Sequence, residues 1–207
     1  MTRRSGGRPT AQAAALLETT ILNQATVAFL ADGYAPTTIE AIARACGVAK
    51  RTIYARWNGK APLFRSVVER LMTRWLSDSG DWAEADSLEA ALNHAAERIL
   101  AVAMTPEAIA LHRLLIAESA RFPELPLMML QAGASEGSAR IGVLLDRAVA
   151  AGTLPMQDTA WAAEQFLHLL LAGPRRRALG LGRTLDENQT ETWRKATITL
   201  FLGGIKT

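Results

Sequence analysis

The sequence predicts an all-α protein: an N-terminal three-helix, helix-turn-helix domain over residues 1–66 and a larger helical domain over 67–207. Three observations carry this. Apolar residues recur at helical spacing almost throughout, alternation of period two over a strand length is absent, and Gly and Pro gather between the periodic segments.

The first helix carries Leu17, Ile21, Ala25, Ala28 and Phe29 on one stripe and stops at Asp32-Gly33, where glycine can take the left-handed conformation. Thr37-x-x-Glu40 has the pattern of a capping box, so a second helix starts there after Pro36. Its stripe is Ile39, Ile42, Ala43 and Cys46, ending at Gly47, which puts Cys46 on the buried face as a small core residue. Val48 offers a core contact before a short helix through Thr52, Ile53 and Trp57 that exposes Lys50, Arg51, Tyr54 and Arg56. Two short helices about a glycine turn make a helix-turn-helix. Asn58-Gly59 then breaks the chain, and a longer helix begins at Lys60 with Pro62 in its first turn.

Charge follows the same division. Residues 1–60 hold eight Lys/Arg against three Asp/Glu, a net of +5, whereas the remainder holds fifteen against seventeen, a net of −2. A positive module joined to a mildly negative one fits a polyanion partner for the first only. The arm Thr2 to Arg8 is glycine-rich and basic, with the composition either of a disordered tail or of a minor-groove arm. No stretch approaches the roughly 20 uninterrupted apolar residues of a membrane span. A lone Cys46 excludes an internal disulfide, and cytoplasm is the expected location.

These residues resemble the N-terminal domain of the tetracycline-repressor (TetR) family: Gly7-Arg8-Pro9, Gly33-Tyr34, Thr37-Thr38-Ile39-x-x-Ile42-Ala43, Ala45-x-Gly47-Val48, Thr52-Ile53-Tyr54 and Trp57-x-x-Lys60-x-x-Leu63-Phe64. The resemblance is specific over about residues 7–66. Beyond them it is that of a helical effector domain, most family-like from Leu111-His112-Arg113 to Phe122-Pro123-Glu124-Leu125. It implies a homodimer on a pseudo-palindromic double-stranded DNA operator, a repressor released by a small-molecule effector. By position it makes Thr38, Thr52, Tyr54 and Lys60 phosphate contacts, which fix register, and leaves Lys50, Arg51 and Arg56 as candidates for base reading. Ala49 stands where the family often has a serine, so the third helix lacks a side-chain cap, and Arg51 stands where a small glycine is common.

In the larger domain, Ser87 caps a helix with Leu88, Leu92, Ala95, Ile99 and Val102, and Thr105-Pro106-Glu107 starts one that is apolar nearly all round. Leu125-Pro126 begins a long helix, interrupted near 133–137, that ends at Gly152; Asp158 caps the next, and the last follows Asp186. Trp75, Met104, His112, Met128, Met129 and Phe166 have the chemistry of pocket lining, and equally of a core. Arg113 and Glu118 suit either a polar ligand group or local pairing. Phe166, Leu169, Leu170, Trp193, Ala196, Thr197, Leu200 and Phe201 form stripes that fit a two-fold interface, where the resemblance puts one, or an internal core. Arg175-Arg176-Arg177 is expected as a solvated run in the connection before the last helix.

Enzyme chemistry finds no footing. His94, His112 and His168 are far apart in sequence, no HxxxH or CxxC spacing occurs, and Gly180-Leu181-Gly182 lacks the surroundings of a phosphate loop, so neither metal nor cofactor is expected. The remaining alternative is a helix-turn-helix protein with no small-molecule effector, controlled by a protein partner or acting architecturally.

Overall fold

The computed structural model describes residues 11–77, 85–130, 135–155 and 158–205, so the basic arm Thr2 to Arg8 and the Gly7-Arg8-Pro9 motif lie outside the described residues. Among the described residues all regular structure is helical. The chain forms two compact units, Met1–Arg70 and Leu71–Thr207.

The first unit holds α1 (Ala11–Asp32), α2 (Ile39–Ala45), α3 (Lys50–Tyr54) and the start of α4 (Lys60–Ser77). Ile21, Leu22, Ala25 and Phe29 of α1 are buried, while Leu17 and Ala28 are only half-buried. By length and average apolarity alone α1 would pass for a membrane-crossing helix, but polar residues interrupt it and Ile21, Leu22, Ala25 and Phe29 are buried in the unit's core. That core centres on three rings. Phe64 meets Phe29 and Tyr34 edge-on at centroid separations of 5.0 and 5.2 Å, and Phe29 stacks on Tyr34 at 5.9 Å. Gly33 closes α1 at φ 92°, and its N–H donates to the Phe29 carbonyl at 3.0 Å.

The cap of α2 lies one residue beyond the expected Thr37-x-x-Glu40 box. Thr38, in extended conformation, accepts from Ala41 N at 3.1 Å. Thr37 cannot do this because it is buried, and its hydroxyl donates back into the α1–α2 turn, to the Gly33 carbonyl at 2.7 Å with the Ala28 carbonyl at 3.2 Å. Cys46 is half-buried at the C-cap of α2, and burial pushes its thiol up, keeping it protonated.

The second unit contains α5 (Leu88–Ala103), α6 (Pro106–Glu118), α7 (Glu124–Met129), α8 (Glu136–Ala150), α9 (Thr159–Ala178) and α10 (Glu187–Ile205). Ser87, Thr105 and Asp158 cap α5, α6 and α9, and Asp186 with Gln189 forms a reciprocal capping box on α10. The long stretch from Leu125, expected to be interrupted near 133–137, is described as α7 and α8, and Gly152 follows α8 with φ 69°. Helices α5, α8, α9 and α10 pack around an apolar core that includes Leu92, Leu145, Phe166, Leu170 and Phe201.

The triple arginine also departs from expectation. Residues 175–177 form the last turn of α9, which continues through Pro174. Cationic side chains there complement the carbonyl end of the helix. Arg177 donates to the Gly173 carbonyl at 3.1 Å and covers the Trp193 ring at 5.5 Å, and of the three only Arg176 is exposed.

Candidate nucleic-acid interface and helical-unit cavities

The glycine turn at Gly47, φ 66°, joins α2 to α3, and Ile53 and Trp57 bury one side of α3. The Trp57 indole donates to Ser66 Oγ of α4 at 3.0 Å, so the seat of α3 is fixed by a hydrogen bond as well as by area. With the apolar side buried, Lys50, Arg51, Tyr54 and Arg56 stand in solvent and Thr52 is half-buried. Ala49 occupies the N-cap of α3 and makes no side-chain cap bond. The five-residue α3 therefore relies on Ile53, Trp57 and the backbone turn for its order.

Two of these cations have acidic partners that the sequence reading passed over. Lys50 pairs with Glu40 of α2 and lies 5.3 Å from the Tyr54 ring centroid; Arg56 pairs with Glu18 of α1 and lies over Trp57. The Lys50 ammonium beside it holds the Glu40 carboxyl below the usual range, and Glu40 in turn raises Lys50. A separation of ten residues in one case and 38 in the other offers no periodic signal, which is why neither pair was legible. Arg44, exposed in the last turn of α2, is a further cation on this unit.

Lys60 has an internal function. Its ammonium donates to the carbonyls of Tyr34 (2.9 Å) and Ala35 (3.1 Å) and sits 4.6 Å from the Tyr34 ring centroid, so it pins the turn that presents Thr38.

In the second unit, the structure does not gather the six candidate pocket residues into one site. Trp75 lines a cavity of about 400 Å³, Met104 one of about 700 Å³ against α9 and α10, and His112 one of about 620 Å³ between α6, α8 and α9. Met128 and Phe166 are buried and Met129 is half-buried; none of these three lines the cavities named. Arg113 and Glu118 do not line them either. The cavity holding His112 also holds Arg175, which sequence reasoning placed in a solvated run. Burial lowers the affinity of both groups for a proton, and the guanidinium lowers that of His112 further, leaving the imidazole neutral near pH 7.

The candidate interface residues divide by face. Phe166, Leu170, Thr197 and Phe201 point into the chain's own core, with the Phe166 and Phe201 rings 5.0 Å apart. Trp193 is half-buried over Gly173 and donates to the Leu170 carbonyl at 2.9 Å. Leu169, Ala196 and Leu200 face outward, joined by Trp161.

A family model described as bacterial regulatory proteins, tetR family, matches residues 21–67, and one described as the C-terminal domain of AefR-like transcriptional repressors matches residues 90–204. The chain belongs to the TetR family. Among solved structures, a TetR-family transcriptional regulator from Mesorhizobium loti MAFF303099 is 28% identical, covers 94% of this chain and 98% of its own, and superposes with a TM-score of 0.80. The flavonoid-responsive regulator FrrA is 30% identical over 92% of this chain and 97% of its own, at a TM-score of 0.74. A family member from Pseudomonas syringae pv. tomato shares the fold at 20% identity and a TM-score of 0.76, over 94% of this chain and 97% of its own. No curated protein matches the chain. As a TetR-family protein it is a transcription regulator with a DNA-binding helix-turn-helix, the motif assembled by α2 and α3.

Proposed function

We propose that this regulator is a dimeric repressor of the cytoplasm that binds a pseudo-palindromic operator and is released by a small, largely apolar effector. The observation that carries the DNA half is α3: a short helix with Ile53 buried and Lys50, Arg51 and Tyr54 in solvent, followed by exposed Arg56. Arg51, for which the structure gives no acidic partner among the described residues, is the first candidate for a guanine edge, with Lys50 and Arg56 beside it. Thr52 and Tyr54 offer hydroxyls to phosphates, as does Thr38, whose oxygen is engaged as a cap while its O–H remains a donor. Lys60 adds its charge while holding the turn.

The effector half is supported by the cavities of the second unit and by likeness to a regulator described as flavonoid-responsive. For the dimer, the outward residues Trp161 and Leu169 of α9 and Ala196 and Leu200 of α10 are the better candidates, since the inward ones already fill the chain's own core.

Genomic DNA selection with the pure protein, followed by affinity measurements on the recovered site, tests the operator reading. One defined sequence bound far above bulk DNA supports it, and similar affinity for many sequences at matched salt sinks it. Light scattering that finds a monomer at micromolar concentration removes the dimer.

A further inference from the structure

We propose that the cavity between α6, α8 and α9 takes an amphipathic carboxylate, with the acid group held by Arg175 and the apolar body laid along the leucines. This deepens the effector-release reading and rests on it.

The anchor is an unsatisfied donor. Arg175 Nε is shut off from solvent and has no hydrogen-bond partner, and no ion pair to Arg175 occurs among the described residues. Buried donors are nearly always paired, and an Nε–H left without an acceptor calls for one from outside the chain. Its planar fork matches the two oxygens of a carboxylate better than any single acceptor atom. His112, neutral in this setting, adds a ring N–H without a second charge. The acid that shares the cavity, Glu164, is exposed.

The rest of the cavity fixes the other end of the ligand. Leu167, Leu171 and Leu179 line it, and Leu130 and Leu181 leave 58% and 61% of their surface exposed beside it. Leucines this exposed gain when an apolar chain or ring covers them. A volume of about 620 Å³ suits a ligand of modest size.

The test is calorimetric titration of the full-length protein with decanoate and with decanol, which share a tail and differ in the head. The expected result is at least tenfold tighter binding of decanoate. In Arg175→Leu that preference falls to within twofold while decanol still binds, and in Arg175→Lys, which keeps charge but loses the fork, an intermediate preference survives. Circular dichroism melts establish that each variant is folded, and the lysine variant carries the test if the leucine variant is not. Equal affinities for the two heads in the wild type, binding of neither, or full preference in a folded Arg175→Leu overturns the proposal. Operator release is read separately: decanoate that binds through Arg175 yet leaves operator affinity unchanged defeats the effector reading and leaves the carboxylate site standing.

Discussion

The cations of α3 and the buried arginine of α9, one site in each unit, are held in opposite ways. At the first, Lys50 and Arg56 stand in water with Glu40 and Glu18 against them; at the second, Arg175 Nε is shut off from solvent and Arg175 has no ion pair among the described residues. Exposed pairs are weak, so an operator group can draw either cation away from its acid at little cost. A buried Nε–H without an acceptor is a deficit that the fold leaves open. The surface charges are suited to a polyanion that brings many contacts, and the enclosed one to a single ligand that brings one good acceptor.

The largest test of this contrast removes one unit and asks whether the other keeps its activity. Phe29 is fully buried at the centre of the ring cluster, and Phe29→Ala should cost about 3–5 kcal/mol, abolishing operator binding in gel-shift assays while decanoate binding in the second unit persists. Loss of both together would show that the units do not act separately. The reciprocal change is Gly173→Ala. A mid-helix Gly→Ala normally gains about 0.5–1 kcal/mol, but here a Cβ would run into the six-membered ring of Trp193, and overpacking of that kind costs about 1–3 kcal/mol. The second term wins, so the melting temperature should fall; a rise would mean that the indole moves aside freely.

What the sequence reveals about the two units differs for a physical reason. Glycine turns, the three-helix arrangement and the missing cap at Ala49 are encoded within a few residues of one another, and all three are found where spacing puts them. The sequence points to Thr37 rather than Thr38 as the cap of α2 because the two are chemically alike, and only burial at the α1–α2 turn tells them apart. In the second unit, Leu169 and Leu170 are neighbours in an apolar stripe, yet one faces water and the other the core, a choice made by where α10 and α5 lie. Arg175 was misassigned for the same reason. Pro174 and Gly173 read as helix breakers, whereas Gly173 is where Trp193 lands and the helix runs on past both.

Within the first unit, Arg51→Ala sharpens the distinction between reading and positioning. If Arg51 addresses a guanine, the change should cost about 1–3 kcal/mol on the selected operator and much less on bulk DNA, measured by fluorescence anisotropy at one salt concentration. An equal loss on both would make it a phosphate contact. Ala49→Ser supplies the absent cap and should stabilise α3 by about 1 kcal/mol, slowing amide exchange at Ile53 and Tyr54 in the DNA-free protein. Because that order then exists before binding, operator affinity should rise, unless the serine hydroxyl blocks the approach of the backbone.

Glu40→Gln gives the smallest effect and bears most directly on how the surface cations are held. Glu40 accepts from Lys50, and the pair is fully in solvent, so it constrains the ammonium without stabilising the fold appreciably. An operator that takes Lys50 must displace that carboxylate and bring its own negative charge close to it. Removing the charge should raise operator affinity at low ionic strength, and the gain should shrink as salt screens the repulsion, since the screening length is about 10 Å at 0.1 M. Affinity measured across a salt series distinguishes this from preorganisation. If Glu40 instead aims Lys50 at its contact, the substitution lowers affinity at every salt concentration, and the acid belongs to the binding surface rather than competing with the operator for it.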